Sequence, residues 1–257
     1  AFIIGTRPSL LETNLSSLKE EITFGVNGLC LYDGLDFDPT YYCISDPEAY
    51  KKFGKYAEQL SSIKFLSVPP CPRPPRGNWI QIPLDRTHQV MNGYFAGTGK
   101  HMLKTYWGRT VVIDLCLQLA FYMGFAKVYL VGCDCGPSHG RLHAYDDPME
   151  RKVSTPYHPD IFKSYKVCRH VFQLAGREIV NATVGGRLEV FKRQKLEDVL
   201  KEPKYCFTQM IDDSELRKYV KVKKDVPDDS PLSIAVILER IERVRDLGIE
   251  GFKVITS

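Results

Sequence analysis

The chain has 257 residues, 44% of them hydrophobic and 26% charged, with a formal net charge of +4. That length can bury a full core, most simply as one α/β domain carrying a C-terminal appendage. The basic residues are scattered, apart from Arg73 to Arg76 and Arg217 to Lys224, so nucleic acid is not implied as a partner; no apolar run approaches the roughly 18 residues of a membrane span.

The first predicted strand, Phe2-Ile3-Ile4, runs into the turn Gly5-Thr6-Arg7-Pro8-Ser9-Leu10. Ligands of open α/β sheets bind outside the carboxyl ends of strands, where glycine lets backbone approach a phosphate and a helix start supplies N–H groups. A short polar helix is predicted over 11–21, then a second strand over Ile22 to Gly28. Asn27 near its end can meet a base or ribose with both a donor and an acceptor. A third strand, Pro39 to Asp46, again ends on an acid; a helix over 47–60 and a fourth strand over 63–68 follow.

Regularity then breaks. The proline-rich segment 69–77 cannot be helix or central strand, and from there to Trp107 the sequence is rich in Gly, Asn, His and aromatic residues, which reads as an ordered loop or lid. An amphipathic helix is predicted over Thr110 to Phe125, with Leu115, Leu119 and Tyr122 on one face and Gly124 as C-cap. The run Val128-Tyr129-Leu130-Val131 then stops at Gly132-Cys133-Asp134, the pattern of a buried parallel strand delivering a polar group to the top of a sheet. The irregular stretch from Cys135 to Pro159 holds His139, His143, Tyr145, Asp146, Asp147, Tyr157 and His158, a dense cluster of ionisable and aromatic groups. A helix over 160–175, a strand over 178–183 and a short helix over 196–200 complete the domain; the tail adds a charged segment and a helix over 232–247, suited to capping or to contact between copies.

Several motifs are weighed and set aside. Cys133-Asp134-Cys135 lacks the spacing and the second knuckle of a zinc site, and the eight cysteines read as small buried hydrophobes of a reducing compartment. Asp36-Phe37-Asp38 has a metal-type spacing but precedes a strand. Gly97-Thr98-Gly99-Lys100 lacks the upstream glycine of a phosphate-binding loop. Arg73 and Arg76 read as solvated, and the opening residues carry no secretory signal.

The turn 5–10, Asn27, the strand end 132–134 and Gly176-Arg177-Glu178-Ile179-Val180-Asn181-Ala182-Thr183-Val184-Gly185-Gly186-Arg187-Leu188-Glu189-Val190-Phe191 together resemble the MptE-like family of bacterial surface-polysaccharide loci, over roughly residues 1–200. The same skeleton is similar to bacterial sialyltransferases that use CMP-sialic acid. What that resemblance implies is a Rossmann-like domain of the GT-A-variant kind over 1–200, with a mostly parallel sheet and a helical appendage over 201–257. It implies nucleotide contacts at Gly5, Thr6, Arg7, Pro8, Ser9, Asn27, Gly132 and Asp134, and it makes His158 the general base. Arg109, His143 and Tyr145 become hydrogen-bond donors to the departing nucleotide.

Thr6 and Arg7 stand where the sialyltransferases have asparagine and glycine, and His143 stands for a tyrosine. His158, at a helix start that disfavours an imidazolium, has the side chain most used for general base work. The expectation is an inverting glycosyltransferase that takes a CMP-activated sialic acid or related 2-keto-3-deoxy sugar to a glycan acceptor, without metal or other cofactor. It is expected in the cytoplasm, with room for peripheral contact at the inner face of the membrane and for a homo-oligomer. Two rivals remain: an ATP-dependent pterin diphosphokinase using Asp46, Asp134 and Asp146 as metal ligands, and a non-catalytic nucleotide-sugar-binding protein.

Overall fold

The computed structural model describes residues 1–67, 79–96, 104–136, 141–147 and 158–202. The predicted C-terminal appendage from residue 203 on, the Arg73 and Arg76 loop, the 97–100 motif, His139 and Tyr157 lie outside these residues. The described residues form ten strands: β1 (Phe2–Ile4), β2 (Thr23–Val26), β3 (Tyr41–Ile44), β4 (Ile63–Leu66), β5 (Trp79–Gln81), β6 (Leu84–Gln89), β7 (Thr105–Trp107), β8 (Lys127–Val131), β9 (Glu178–Asn181) and β10 (Lys192–Arg193). Eight of them form one sheet in the order β10-β9-β8-β1-β2-β3-β4-β5, every described pairing being parallel, and β6 pairs with β7 separately. The α/β class and the mostly parallel Rossmann-like sheet are therefore as expected.

Alternation along the strands decides which face each residue buries. Ile3, Phe24, Val128 and Leu130 pack on one side with the central helix and with α3 (Asp160–Leu174), while Phe2, Ile4, Tyr129 and Val131 pack on the other with α1 (Pro47–Ala57) and α4 (Leu196–Val199). With both faces covered, the strands read as unbroken apolar runs. Asp46 accepts from the backbone N–H groups of Glu48 (2.8 Å) and Ala49 (3.1 Å), so it is the N-cap of α1.

Five points differ from expectation. The segment 11–21 is not one polar helix: 3-10 turns at Pro8–Glu12 and Leu15–Leu18 take its place, anchored by the buried Leu10, Leu15 and Leu18. The stretch 69–107 is not wholly loop, since β5 extends the sheet and β6 and β7 form their own pair. The helix after Thr110 opens with a π-helical turn, Val112–Cys116, before α2 (Leu117–Tyr122). Nor is that helix amphipathic: it is sandwiched between the sheet and the segment around β7, so residues 111–121 are all buried. Gln118 is tolerated there because Ala96 N–H (3.0 Å) and Tyr106 N–H (3.1 Å) donate to its Oε1 while its Nε2 donates to Tyr106 C=O (2.8 Å). Finally, β10 is a strand the sequence does not announce.

β1 and β8 lie side by side at the centre, with β2 on one flank and β9 on the other. Their carboxyl ends approach so closely that a Cβ on Gly5 would overlap the Gly132 carbonyl oxygen, and one on Gly132, whose φ is +65°, would overlap Leu10. The glycines that the sequence assigns to phosphate approach are where these two strand ends meet. Gly5→Ala is expected to lower stability by about 1–3 kcal/mol, the range for overpacking a site that cannot give. Urea unfolding measures it, and a loss below about 0.5 kcal/mol would mean the crossing relaxes freely.

Candidate functional site at the sheet's carboxyl edge

The chain leaves β1 toward β2 and leaves β8 toward β9, on opposite flanks, so the gap above β1 and β8 is the topological switch point where open α/β sheets bind ligands. The turn after β1 is fixed first. Gly5 N–H donates to Val131 C=O (2.7 Å) and Arg7 N–H to Gly132 C=O (3.2 Å). Ser9 donates its N–H to Asp134 Oδ2 (3.1 Å) and its hydroxyl to Asp134 Oδ1, and Asp134 C=O accepts from Arg187 N–H (2.6 Å). Pro8, Ser9 and Asp134 are buried. These residues, expected to touch nucleotide, form the internal frame of the turn; Thr6 and Arg7 stand at its lip.

Across that lip runs the segment 141–147. Ala144 N–H donates to Thr6 C=O (2.9 Å), Arg7 Nη1 donates to Leu142 C=O (2.9 Å), and Thr6 Oγ1 shares a hydrogen with His143 Nδ1 (3.1 Å). Lys52 of α1 pairs with Asp147, and Arg141 with Asp146. The His143 ring stacks on Tyr145 at 4.9 Å and 13°. Tyr145 itself is buried, packed edge-on against Phe53 and filling the space left by the missing side chain of Gly28. Its ring is the shelf under His143.

Asn27 follows β2 beside the same tyrosine. Its φ is +46°, a left-handed conformation uncommon outside glycine. Its backbone carbonyl accepts from Tyr42 Oη (2.7 Å), while its side-chain Oδ1 is buried with no hydrogen-bond partner. Buried acceptors are rarely left unmatched, and this one sits at a strand's carboxyl end.

A second group assembles where β7 ends and α3 begins. Arg109 donates from Nη2 to Asp160 Oδ2 (2.9 Å) and lies over the Trp107 ring at 4.8 Å. His158 Nδ1 is 3.1 Å from the same Oδ2, and Lys163 Nζ is 3.1 Å from Oδ1. Lys163, hydrogen-bonded to it, holds the Asp160 carboxyl below the usual carboxylate range, with His158 and Arg109 adding to the effect. The His158 side chain is 53% exposed. The helix start that the sequence sets beside His158 is there, and so is a carboxylate of opposite electrostatic sense. The Cys135 thiol is pushed up to about 12 by burial, against the nearby charge of Arg7 and a hydrogen bond with Tyr165 of α3.

Asp160 and Asp114 are the functional candidates that sequence reading missed. Asp160 follows His158-Pro159 directly, a signal in plain view. Asp114 is the lone acid of the apolar stretch 111–117. It accepts from Gly108 N–H (2.6 Å), Arg109 N–H and Ser45 Oγ (2.9 Å). Burial pushes its carboxyl up to about 7, against those hydrogen bonds. An ordinary aspartic acid titrates near about 3.9, so between about pH 4 and 7 the folded state keeps a proton that the unfolded chain has lost, and stability falls as pH rises through that window. Asp114→Asn removes this slope: the stability gap between wild type and variant should shift in the variant's favour from pH 5 to pH 8. Parallel urea-unfolding profiles at the two pH values would rule it out.

Among the described residues no group of three or more His, Cys, Asp or Glu side chains could hold a metal ion, and no helix is long and apolar enough to cross a membrane. Asp36 and Asp38 turn to local partners, Ser16 Oγ (3.0 Å) and Ser61 N–H (2.7 Å).

No known protein family matches the chain by sequence, and no curated protein does. Among solved structures the chain is similar to the MAf glycosyltransferase from Magnetospirillum magneticum AMB-1, with a TM-score of 0.51 and 12% identity over 86% of this chain. The match spans 36% of that protein's length. The likeness is one of fold: a Rossmann-like sheet of the kind a glycosyltransferase uses.

Proposed function

We propose that this chain is a glycosyltransferase that takes a CMP-activated sialic acid or related 2-keto-3-deoxy sugar to a glycan acceptor with inversion. The observation that carries it is the meeting of Arg109 and His158 on one carboxylate, Asp160, in a fold similar to a known glycosyltransferase. Nδ1 of His158 faces Asp160, whose carboxylate lies 3.1 Å away and whose backbone N–H donates to it at 3.3 Å; the mechanism uses the tautomer in which Nδ1 shares its proton with the carboxylate and Nε2 keeps its lone pair for the acceptor hydroxyl. The acceptor oxygen bonds to the anomeric carbon as the bond from that carbon to the CMP phosphate oxygen breaks. The proton stays on His158, and the phosphate takes the bonding pair. Arg109, Arg7 and His143 are the candidates to meet that developing charge, which needs no divalent ion. Asn27 meets the nucleotide or donor sugar with its unmatched amide.

The pterin diphosphokinase alternative is weaker, because its three acids are engaged elsewhere: Asp46 caps α1, Asp134 holds Ser9 and Asp146 pairs with Arg141. The test is a thermal-shift panel. CMP or CDP should raise the melting temperature without added metal, since a ligand at 100 times its Kd adds about 2.7 kcal/mol, and ATP with magnesium should not. Stabilisation by ATP and magnesium alone would move the chain to the kinase class. Asn27→Ala should weaken CMP binding by about 1–3 kcal/mol; unchanged affinity in a folded variant would take Asn27 out of the site.

A further inference from the structure

Arg109 is held in an unusual way. Its φ of +79° is in the left-handed region, where a side chain other than glycine's is strained. Such a conformation persists only when its surroundings impose it. Here they do so from two sides. A Cβ on the preceding Gly108 would overlap the Ile113 side chain, so the turn lies flat against the start of the helix. From that helix the Asp114 carboxylate reaches back to accept the N–H groups of both Gly108 (2.6 Å) and Arg109, while its other oxygen takes the hydroxyl of Ser45 (2.9 Å) at the end of β3. The consequence is a fixed exit direction for the arginine: over the Trp107 ring at 4.8 Å and onto Asp160 at 2.9 Å, the carboxylate that also meets His158.

We infer that Asp114 is a positioning residue for Arg109, clamping the Gly108-Arg109 turn to the carboxyl end of β3 so that the guanidinium is presented at the Asp160 and His158 group. This deepens the glycosyltransferase reading and rests on it for the purpose of the clamp, although the clamp itself can be tested without any substrate. Loss of the carboxylate leaves two backbone donors without an acceptor and removes what opposes the left-handed strain. Arg109 then leaves Trp107. An asparagine at 114 keeps an oxygen for the two N–H groups and offers its amide N–H to Ser45 Oγ, so it should restore the arrangement.

The chain has two tryptophans, and in a Trp79→Phe background Trp107 is the only fluorophore of its kind. The guanidinium over its ring makes its emission a reporter of where Arg109 sits. Arg109→Ala in that background should shift the Trp107 emission, Asp114→Ala should reproduce the shift, and Asp114→Asn should return it to the starting spectrum. In parallel, isothermal titration with CMP should show Asp114→Ala and Arg109→Ala weakening binding by similar factors, with the double variant no worse than either. If Asp114→Ala leaves the emission where it was while Arg109→Ala moves it, the inference is overturned. If Arg109→Ala itself moves nothing, the contact that the clamp maintains is absent, and the inference falls too. If the spectra behave as expected but wild-type protein does not bind CMP, the positioning stands and the nucleotide reading fails. Should Asp114→Ala not fold, Asp114→Glu asks the same question, because a longer side chain displaces the acceptor and should also shift the emission.

Discussion

Replacing His158 by alanine should lower turnover about 10²- to 10⁴-fold, the usual contribution of a general base, with CMP affinity nearly unchanged. The expectation follows from geometry. His158 stands half-exposed at the start of α3, with one ring nitrogen against Asp160 and the other turned away from that carboxylate. Its loss removes no core packing, so the variant should fold and its effect belongs to the chemical step. Turnover is measured with the CMP-sugar donor saturating, and circular dichroism establishes folding. Wild-type turnover in the variant would put the base elsewhere, with His143 next in line, or would leave a binding protein that needs no base. Abolished CMP binding would move His158 into the donor pocket. Asp160→Asn serves as the companion: it keeps the shape but weakens the hold on both Arg109 and His158, so its loss of turnover should fall short of that of His158→Ala.

What was legible in the sequence was whatever local pattern decides alone. The run Val128 to Val131 and its stop at Gly132 gave β8, and Phe2 to Ile4 with Gly5 gave β1, because strands covered on both faces have no polar side to confuse the period. The pairing of these two strands, and so the switch point, came only with the fold. The residues between 79 and 107 were harder. β6 carries Asp85, Arg86, Thr87 and His88 in succession, which reads as loop, and it is held as a strand only by β7 beyond it. The buried helix misled for the opposite reason: its Asp114 and Gln118 supply the polar positions of an amphipathic pattern, yet both are satisfied internally by backbone from distant segments. Roles within the site were least legible. Ser9, Asp134 and Tyr145 have the chemistry of ligand contacts, and only the fold reveals that Ser9 and Asp134 hold each other while Tyr145 packs under His143. Asp160, adjacent to His158, was overlooked because its importance comes from Arg109, 51 residues earlier in the chain.

Asp134→Ala should be the most damaging single change to stability at the site, at about 3–5 kcal/mol. The carboxylate is buried and accepts both the N–H and the hydroxyl of Ser9, two donors that would be left dry at about 1–3 kcal/mol each. These bonds tie the turn after β1 to the loop after β8, across the sheet's switch point. Asp134→Asn should recover most of the loss, since its amide oxygen can take the Ser9 N–H while its amide nitrogen donates to the hydroxyl oxygen. Urea unfolding of the two variants and of Ser9→Ala gives the comparison. In a double-mutant cycle Asp134→Ala and Ser9→Ala should be strongly non-additive, because each removes the same contact. Additive losses would mean that Asp134 supports the fold through other partners. The pair would then cease to be the latch that holds Thr6 and Arg7 at the lip of the site.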